Sequence, residues 1–133
     1  MIPPFDDNGY LPPGIHAATL DEIEERFGRE DDQRRAGMES LRWLVDLARR
    51  AGVQRIIVNG SFVTDRFEPN DVDCALLIGD DYPLDPSAGE ELDVGLPFLD
   101  LHIVQQDDFD EFINDVYSLD RKKRPKGMLE VTL

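Results

Sequence analysis

Four small features of this chain carry chemistry in their spacing. Gly60-Ser61 closes a short β-branched run, and nine residues separate it from Asp71-Val72-Asp73. Asp100 then interrupts the apolar stretch Phe98-Leu99-Asp100-Leu101, and His102 follows two positions on. In a strand alternate residues share a face, so Asp71 and Asp73 project together with their Cβ atoms roughly 6–7 Å apart. Two ionised carboxylates at that distance repel, and Mg²⁺ suits one or two carboxylates completed by phosphate oxygens and water. A charge inside an apolar strand is costly unless it is paired, coordinated or at an exposed mouth. If the strand of Asp100 lies beside that of Asp73, three acids converge on a pair of metal ions. His102 alternates onto the face of Asp100, where it orients a ligand or a carboxylate, a purely structural histidine being the alternative. Gly60 lets backbone approach a ligand closely, and Ser61 can open a short helix whose hydroxyl and amides face a phosphate. Asn59 or Thr64 can add a hydrogen bond there. Cys74 faces away with Val72, which makes it a core residue rather than a nucleophile.

The elements that must hold these residues are legible in outline. Thr19 with Glu22 forms a capping box before Leu20, Ile23 and Phe27 at helical spacing, and Gly28 ends that helix. A second helix starts near Glu30-Asp31-Asp32 and buries Leu41, Leu44, Val45 and Ala48. Arg49 and Arg50 occupy its last turn, and Gly52 stops it. Strands are predicted at Arg55 to Asn59, Asp71 to Ile78 and about Pro97 to Val104. The segment Gly79 to Gly95 reads as a polar loop. Asp107 or Asp108 caps a helix with the stripe Phe109, Phe112, Ile113, Val116 and Tyr117. Leu129, Val131 and Leu133 alternate with polar residues as a half-buried terminal strand. The Pro- and Gly-rich N-terminus is an irregular arm over residues 1–18, pinned by Ile2, Phe5, Tyr10 and Leu11. The fold class expected is α+β, a small mixed sheet of about three or four strands flanked by helices, in a single domain over residues 1–133.

Composition narrows the function. With 29 acidic against 14 basic side chains the formal net charge is −15. Such a surface repels nucleic acid, whose binding rests on counterion release from Lys/Arg contacts. A basic protein partner, or a small ligand that brings its own Mg²⁺, stays compatible. The basic run Arg121, Lys122, Lys123, Arg124 and Lys126 reads first as a solvated segment offsetting nearby acids. A contact for phosphate, RNA or an acidic partner face is the alternative. No apolar run approaches the ~20 residues of a membrane span. The stretch MIPPFDDNGYLPP lacks the basic and apolar segments of a secretion signal, and Cys74 is the only cysteine. A reducing, cytoplasmic location is therefore expected.

In their order, these features resemble the minimal nucleotidyltransferases of the DNA polymerase β-like superfamily. The pattern there is strand, Gly-Ser, spacer, Asp-x-Asp on the next strand and a third Asp on a later one, matched by Gly60, Ser61, Asp71, Asp73 and Asp100 across about Val53 to Val104. The flanks PPFDDNGYLPPG and PKGMLEVTL resemble those of a bacterial branch without a settled function. The resemblance implies transfer of a nucleoside monophosphate from an NTP, ATP first, to a hydroxyl on a protein or RNA acceptor. Asp71 and Asp73 would hold two Mg²⁺ ions against the triphosphate. Asp100 would help hold the ion that activates the attacking oxygen. Gly60, Ser61, Thr64 and Arg66 would bind the nucleotide. Small members of that superfamily frequently act as antitoxins, some by adding a nucleotide to a cognate toxin, so a protein partner is implied. The chain departs from the pattern at Phe62-Val63-Thr64-Asp65, where many members carry an Arg-Gly. That departure points to the alternative, an inactive module of the same fold that binds a basic protein partner as antitoxin or regulator.

Overall fold

The computed structural model describes residues 1–133. In chain order the elements are β1 (Gly14–Ala18), α1 (Leu20–Phe27), α2 (Asp32–Ala51), β2 (Arg55–Asn59), a 3₁₀ turn (Ser61–Val63), β3 (Val72–Ile78), α3 (Pro86–Val94), β4 (Leu99–Gln105), α4 (Gln106–Phe112) running into a π-helical turn (Ile113–Tyr117), and β5 (Gly127–Val131). The strands form one mixed sheet in the order β1-β5-β2-β3-β4. β1 is parallel to β5 and β3 is parallel to β4, while β2 is antiparallel to both of its neighbours. Four strands therefore run one way and β2 the other.

The helix boundaries follow local chemistry. At α1 the Thr19 hydroxyl accepts from the Glu22 amide and the Glu22 carboxylate accepts from the Thr19 amide, so both halves of the capping box are made. Asp31 caps α2 through the Arg34 amide, and Gly52 ends it at φ +82°, where a side chain would be strained. Leu41, Leu44, Val45 and Ala48 are buried against the sheet, as their spacing predicts.

Four expectations need correction. The sheet has five strands rather than three or four. The additional strand, β1, lies within the span expected to be an irregular arm, because Gly14–Ala18 pairs along its length with Gly127–Val131. Its residues are mostly exposed and show no alternation, so the pairing is tertiary in origin. The C-terminal strand is not half-buried: β5 lies between β1 and β2, with Met128 buried on one face and Leu129 and Val131 on the other. Gly79 to Gly95 is not a loop throughout, since Asp85 caps α3 through the Ser87 and Ala88 amides. Parallel neighbours need a crossover of a dozen residues or more, and α3 supplies it between β3 and β4.

Both faces of the sheet are covered. α1, α2 and α3 bury the larger cluster, which includes Ile56, Val58, Cys74 and Leu76. α4 and the π turn cover the other face with Phe109, Ile113 and Tyr117 on Ile57, Ala75 and Leu77. The wider π turn carries Tyr117 inward (4% exposed), as the stripe has it, and leaves Val116, expected on the same stripe, outside (55% exposed). No helix is long and apolar enough to cross a membrane.

Candidate functional site

The carboxylates meet on the α4 side of the sheet. β3 and β4 run parallel in a register that sets Asp73 directly beside Asp100, with Ala75 beside His102. Alternation along β4 returns His102 to the face of Asp100, and its Nε2 lies 3.5 Å from Asp100 Oδ2. One ligand atom from each of Asp73, Asp100 and His102 falls within 4.8 Å of the others. Asp71 is placed differently from expectation. β3 begins at Val72, whose amide donates to the Phe98 carbonyl at 2.8 Å, so Asp71 sits in the bend before the ladder. It lines the same cleft but stands outside the three-residue cluster.

Asp73 is half-buried. Burial first, and then the Asp100 carboxylate, push its carboxyl up to about 6, while His102 and Lys126 act in the opposite direction. Beneath it, Asn59 is its cross-strand partner. Asn59 Nδ2 donates to the Tyr117 carbonyl at 2.9 Å, yet Asn59 Oδ1 and the Tyr117 hydroxyl are both buried without a partner. Burial, followed by Cys74, Asp73 and Asp100, pushes the Tyr117 hydroxyl pKa up. The His102 ring is held edge-on to Tyr117 at 6.0 Å and lies 5.3 Å from Phe112. Two carboxylates and an imidazole form a donor set that fits a divalent cation.

Gly60 and Ser61 turn the chain away from β2 at the same end. Gly60 has φ +81°, and a Cβ there would stand 2.2 Å from Asp73 Oδ2. Only glycine lets this turn and the Asp73 carboxylate share the space. Ser61 opens a single 3₁₀ turn, whose carbonyl accepts from the Thr64 hydroxyl at 2.7 Å. That hydroxyl closes the turn, although Thr64 still lines the cleft with Ser61, Asp65 and Arg66.

The residue that organises this loop is Arg34, which was not among the expected site residues. Its guanidinium, 2% exposed, donates to the carbonyls of Phe27, Phe62, Thr64 and Arg66. Asp31 faces it at 3.7 Å and also accepts from the Glu68 amide. The signal was present in the sequence: Arg34 falls on the apolar stripe of α2 with Met38, Leu41, Val45 and Ala48. A charge on a buried stripe demands partners.

The basic run borders the cleft, and all of its cations but Lys126 are exposed. Arg121, Lys122, Arg124 and Lys126 line it with the carboxylates, and its volume is ≈ 1020 Å³. Asp120 shapes this loop by accepting from the Lys122 and Arg124 amides at Oδ1, and from Arg124 Nε and the Tyr10 hydroxyl at Oδ2. These bonds, the Arg124 amide first, hold Asp120 at about 2. Lys126 is half-buried, and that burial lowers its ammonium pKa. The N-terminal arm touches the loop after Ser61 as well, through a bond from the Asp65 amide to the Gly9 carbonyl at 3.1 Å.

Together these observations define a mixed α/β protein with a polar cleft at one end of its sheet, lined by carboxylates and cations, with the imidazole of His102 beside Asp100. The chain belongs to the family described as a family of unknown function, DUF6932, which it matches over residues 3–132. No curated protein and no solved structure matches it.

Proposed function

We propose that this protein is a Mg²⁺-dependent nucleotidyltransferase that moves a nucleoside monophosphate from an NTP, with ATP the first to test, to a hydroxyl on a protein acceptor. The observation that carries the reading is the convergence of opposite charges in one cleft: Asp71, Asp73 and Asp100 with Arg121, Lys122 and Lys126. A metal-bound triphosphate needs both, because its ions require carboxylates and its outer oxygens require cations or amides. Asp73 and Asp100, with Asp71 at the strand entrance, are the residues that would hold the ions. When bound, such ions neutralise phosphate charge and lower the pKa of the attacking hydroxyl. The acceptor oxygen forms a bond to the α-phosphorus, the α–β anhydride breaks, pyrophosphate leaves, and the hydroxyl proton passes to solvent. Gly60 brings backbone close to the phosphates, Ser61 presents a hydroxyl beside them, and Lys126 and Arg66 offset their charge.

The net charge of −15 favours a protein acceptor over RNA. A cognate toxin is the partner class suggested by the antitoxin members of the superfamily this chain resembles, and a cytoplasmic location goes with it. Incubation with labelled nucleotides, Mg²⁺ and co-purifying proteins tests the proposal. Transfer of label that Asp73→Asn abolishes is the expected result. No transfer from any nucleotide, together with an unmoved melting temperature in Mg²⁺-ATP, overturns it. One observation supports a second reading, an inactive module that binds a basic partner. Asp65 lines the cleft close to Ser61, and the Arg of the resembled pattern is missing there. Partner binding that persists in Asp73→Asn without any nucleotide would distinguish it.

A further inference from the structure

We infer that Asp73, Asp100 and His102 form a metal site that prefers a first-row transition-metal ion to Mg²⁺ and fills without nucleotide. This deepens the reading above by naming the ion held at one position of the same cleft. The three ligand atoms lie within 4.8 Å of one another, and sheet register brings them there. His102 Nε2 lies 3.5 Å from Asp100 Oδ2, too long for a good hydrogen bond. Its ring is oriented by Phe112 and Tyr117 rather than by any acceptor. An imidazole aimed at two carboxylates and held by aromatic walls is a preformed nitrogen donor.

An independent observation points to a ligand at the same place. Asn59 (3% exposed) and Tyr117 (4% exposed) each bury a polar atom without a partner, Asn59 Oδ1 and the Tyr117 hydroxyl. Asn59 is the register partner of Asp73 on its other side. Buried polar atoms are nearly always satisfied, and these two belong to residues that border the cluster, Asn59 beside Asp73 across the ladder and Tyr117 edge-on to His102. Their roles differ: Asn59 Oδ1 can only accept, as from an ion-bound water, whereas the tyrosine hydroxyl can donate or accept.

The donor set decides which ion. Mg²⁺ is hard, prefers oxygen and keeps its own waters, and an imidazole nitrogen adds little to it. Nitrogen ligands raise affinity for divalent ions from Mn²⁺ to Zn²⁺, more steeply along the Irving–Williams order. A site of two carboxylates and one imidazole therefore discriminates, whereas three carboxylates would not.

The test uses the untagged full chain with no nucleotide present. Mg²⁺, Mn²⁺ and Co²⁺ are titrated by calorimetry, and pulsed electron paramagnetic resonance on the Mn²⁺ form looks for ¹⁴N coupling. The inference predicts binding of Mn²⁺ and Co²⁺ tighter than Mg²⁺ by on the order of tenfold or more, with imidazole nitrogen on the manganese. His102→Gln should erase both the preference and the nitrogen signal while Mg²⁺ affinity stays the same. His16→Gln should alter neither, because the only other histidine bonds to the Pro12 carbonyl at 2.7 Å. Circular dichroism shows whether each variant is folded, and Asp100→Asn supplies a second route to loss of binding. Equal affinities for the three ions, absent ¹⁴N coupling, or a preference that survives in folded His102→Gln overturns the inference. Metal binding as predicted with no nucleotide transfer overturns the transferase reading and leaves the metal site standing.

Discussion

At the scale of single residues, Gly60, Asp73 and Arg34 have roles that few other residue types could fill. Gly60 combines φ +81° with a Cβ position 2.2 Å from Asp73 Oδ2. Gly60→Ala should cost about 1–3 kcal/mol of stability, read from the urea midpoint, and should weaken metal binding by displacing Asp73. For Asp73 the sign of the pH effect follows from its carboxyl, which stands at about 6 in the fold against 3.8 as its ordinary value. The folded state binds more protons than the unfolded chain between these values. Metal-free stability should therefore fall as pH rises from about 4 to about 6, by roughly 1–3 kcal/mol. Asp73→Asn should remove that fall and leave the protein more stable than wild type above pH 6, as melting curves across pH can show. Arg34 is tied to four carbonyls and faces Asp31. Arg34→Met should destabilise by roughly 3–5 kcal/mol, because the carbonyls and a buried carboxylate lose their partner. If Arg34→Met melts with wild type, the guanidinium is not what holds the loop after Ser61.

At the scale of elements, the parallel pair β3 and β4 and the loop before β5 do most of the positioning. Register alone brings Asp73 and Asp100 together, so their proximity depends on the crossover through α3. The loop brings the cations, held by Asp120 and by the tie from Tyr10 in the arm. Lys126→Ala removes a half-buried cation without touching a carboxylate. It should weaken tripolyphosphate or Mg²⁺-ATP binding by on the order of tenfold, as loss of a charge-assisted contact does. Its metal affinity should not fall. Equilibrium binding of both ligands to the same variant separates these effects.

At the scale of the whole molecule, charge is the dominant fact. A net charge of −15 sits on a chain whose cleft nonetheless gathers five cations among six carboxylates. The exterior repels polyanions, while on the proposed reading the cations of the cleft receive the phosphates. Association with a basic protein partner should therefore weaken markedly between low and physiological salt. Binding of a small triphosphate inside the cleft should change much less. Isotherms at two ionic strengths check both expectations.

What could be read from residues alone was local. Capping at Thr19 and Asp31, the stop at Gly52, the stripe of α2 and the burial of Cys74 all follow from periodicity and terminal chemistry, because those forces act within a few residues. The acids of the cleft stood out for the same reason, as charges placed where apolar residues belong. Tertiary structure decided the rest. β1 has no apolar alternation, and its existence depends on β5 more than a hundred residues away. Whether Tyr117 or Val116 faced inward turned on one wider helical turn. The basic run joined the acids only because β5 inserts between β1 and β2, carrying the loop before it to the cleft. Asp71 and His102 changed places for an equally non-local reason. The ladder with β4 begins at Val72, which leaves Asp71 outside the cluster and sets Asp73 beside Asp100, whose strand already carries His102 on the same face. The opening pattern of Gly-Ser and acids thus named the cleft, and strand register chose which of its residues stand close enough to share an ion.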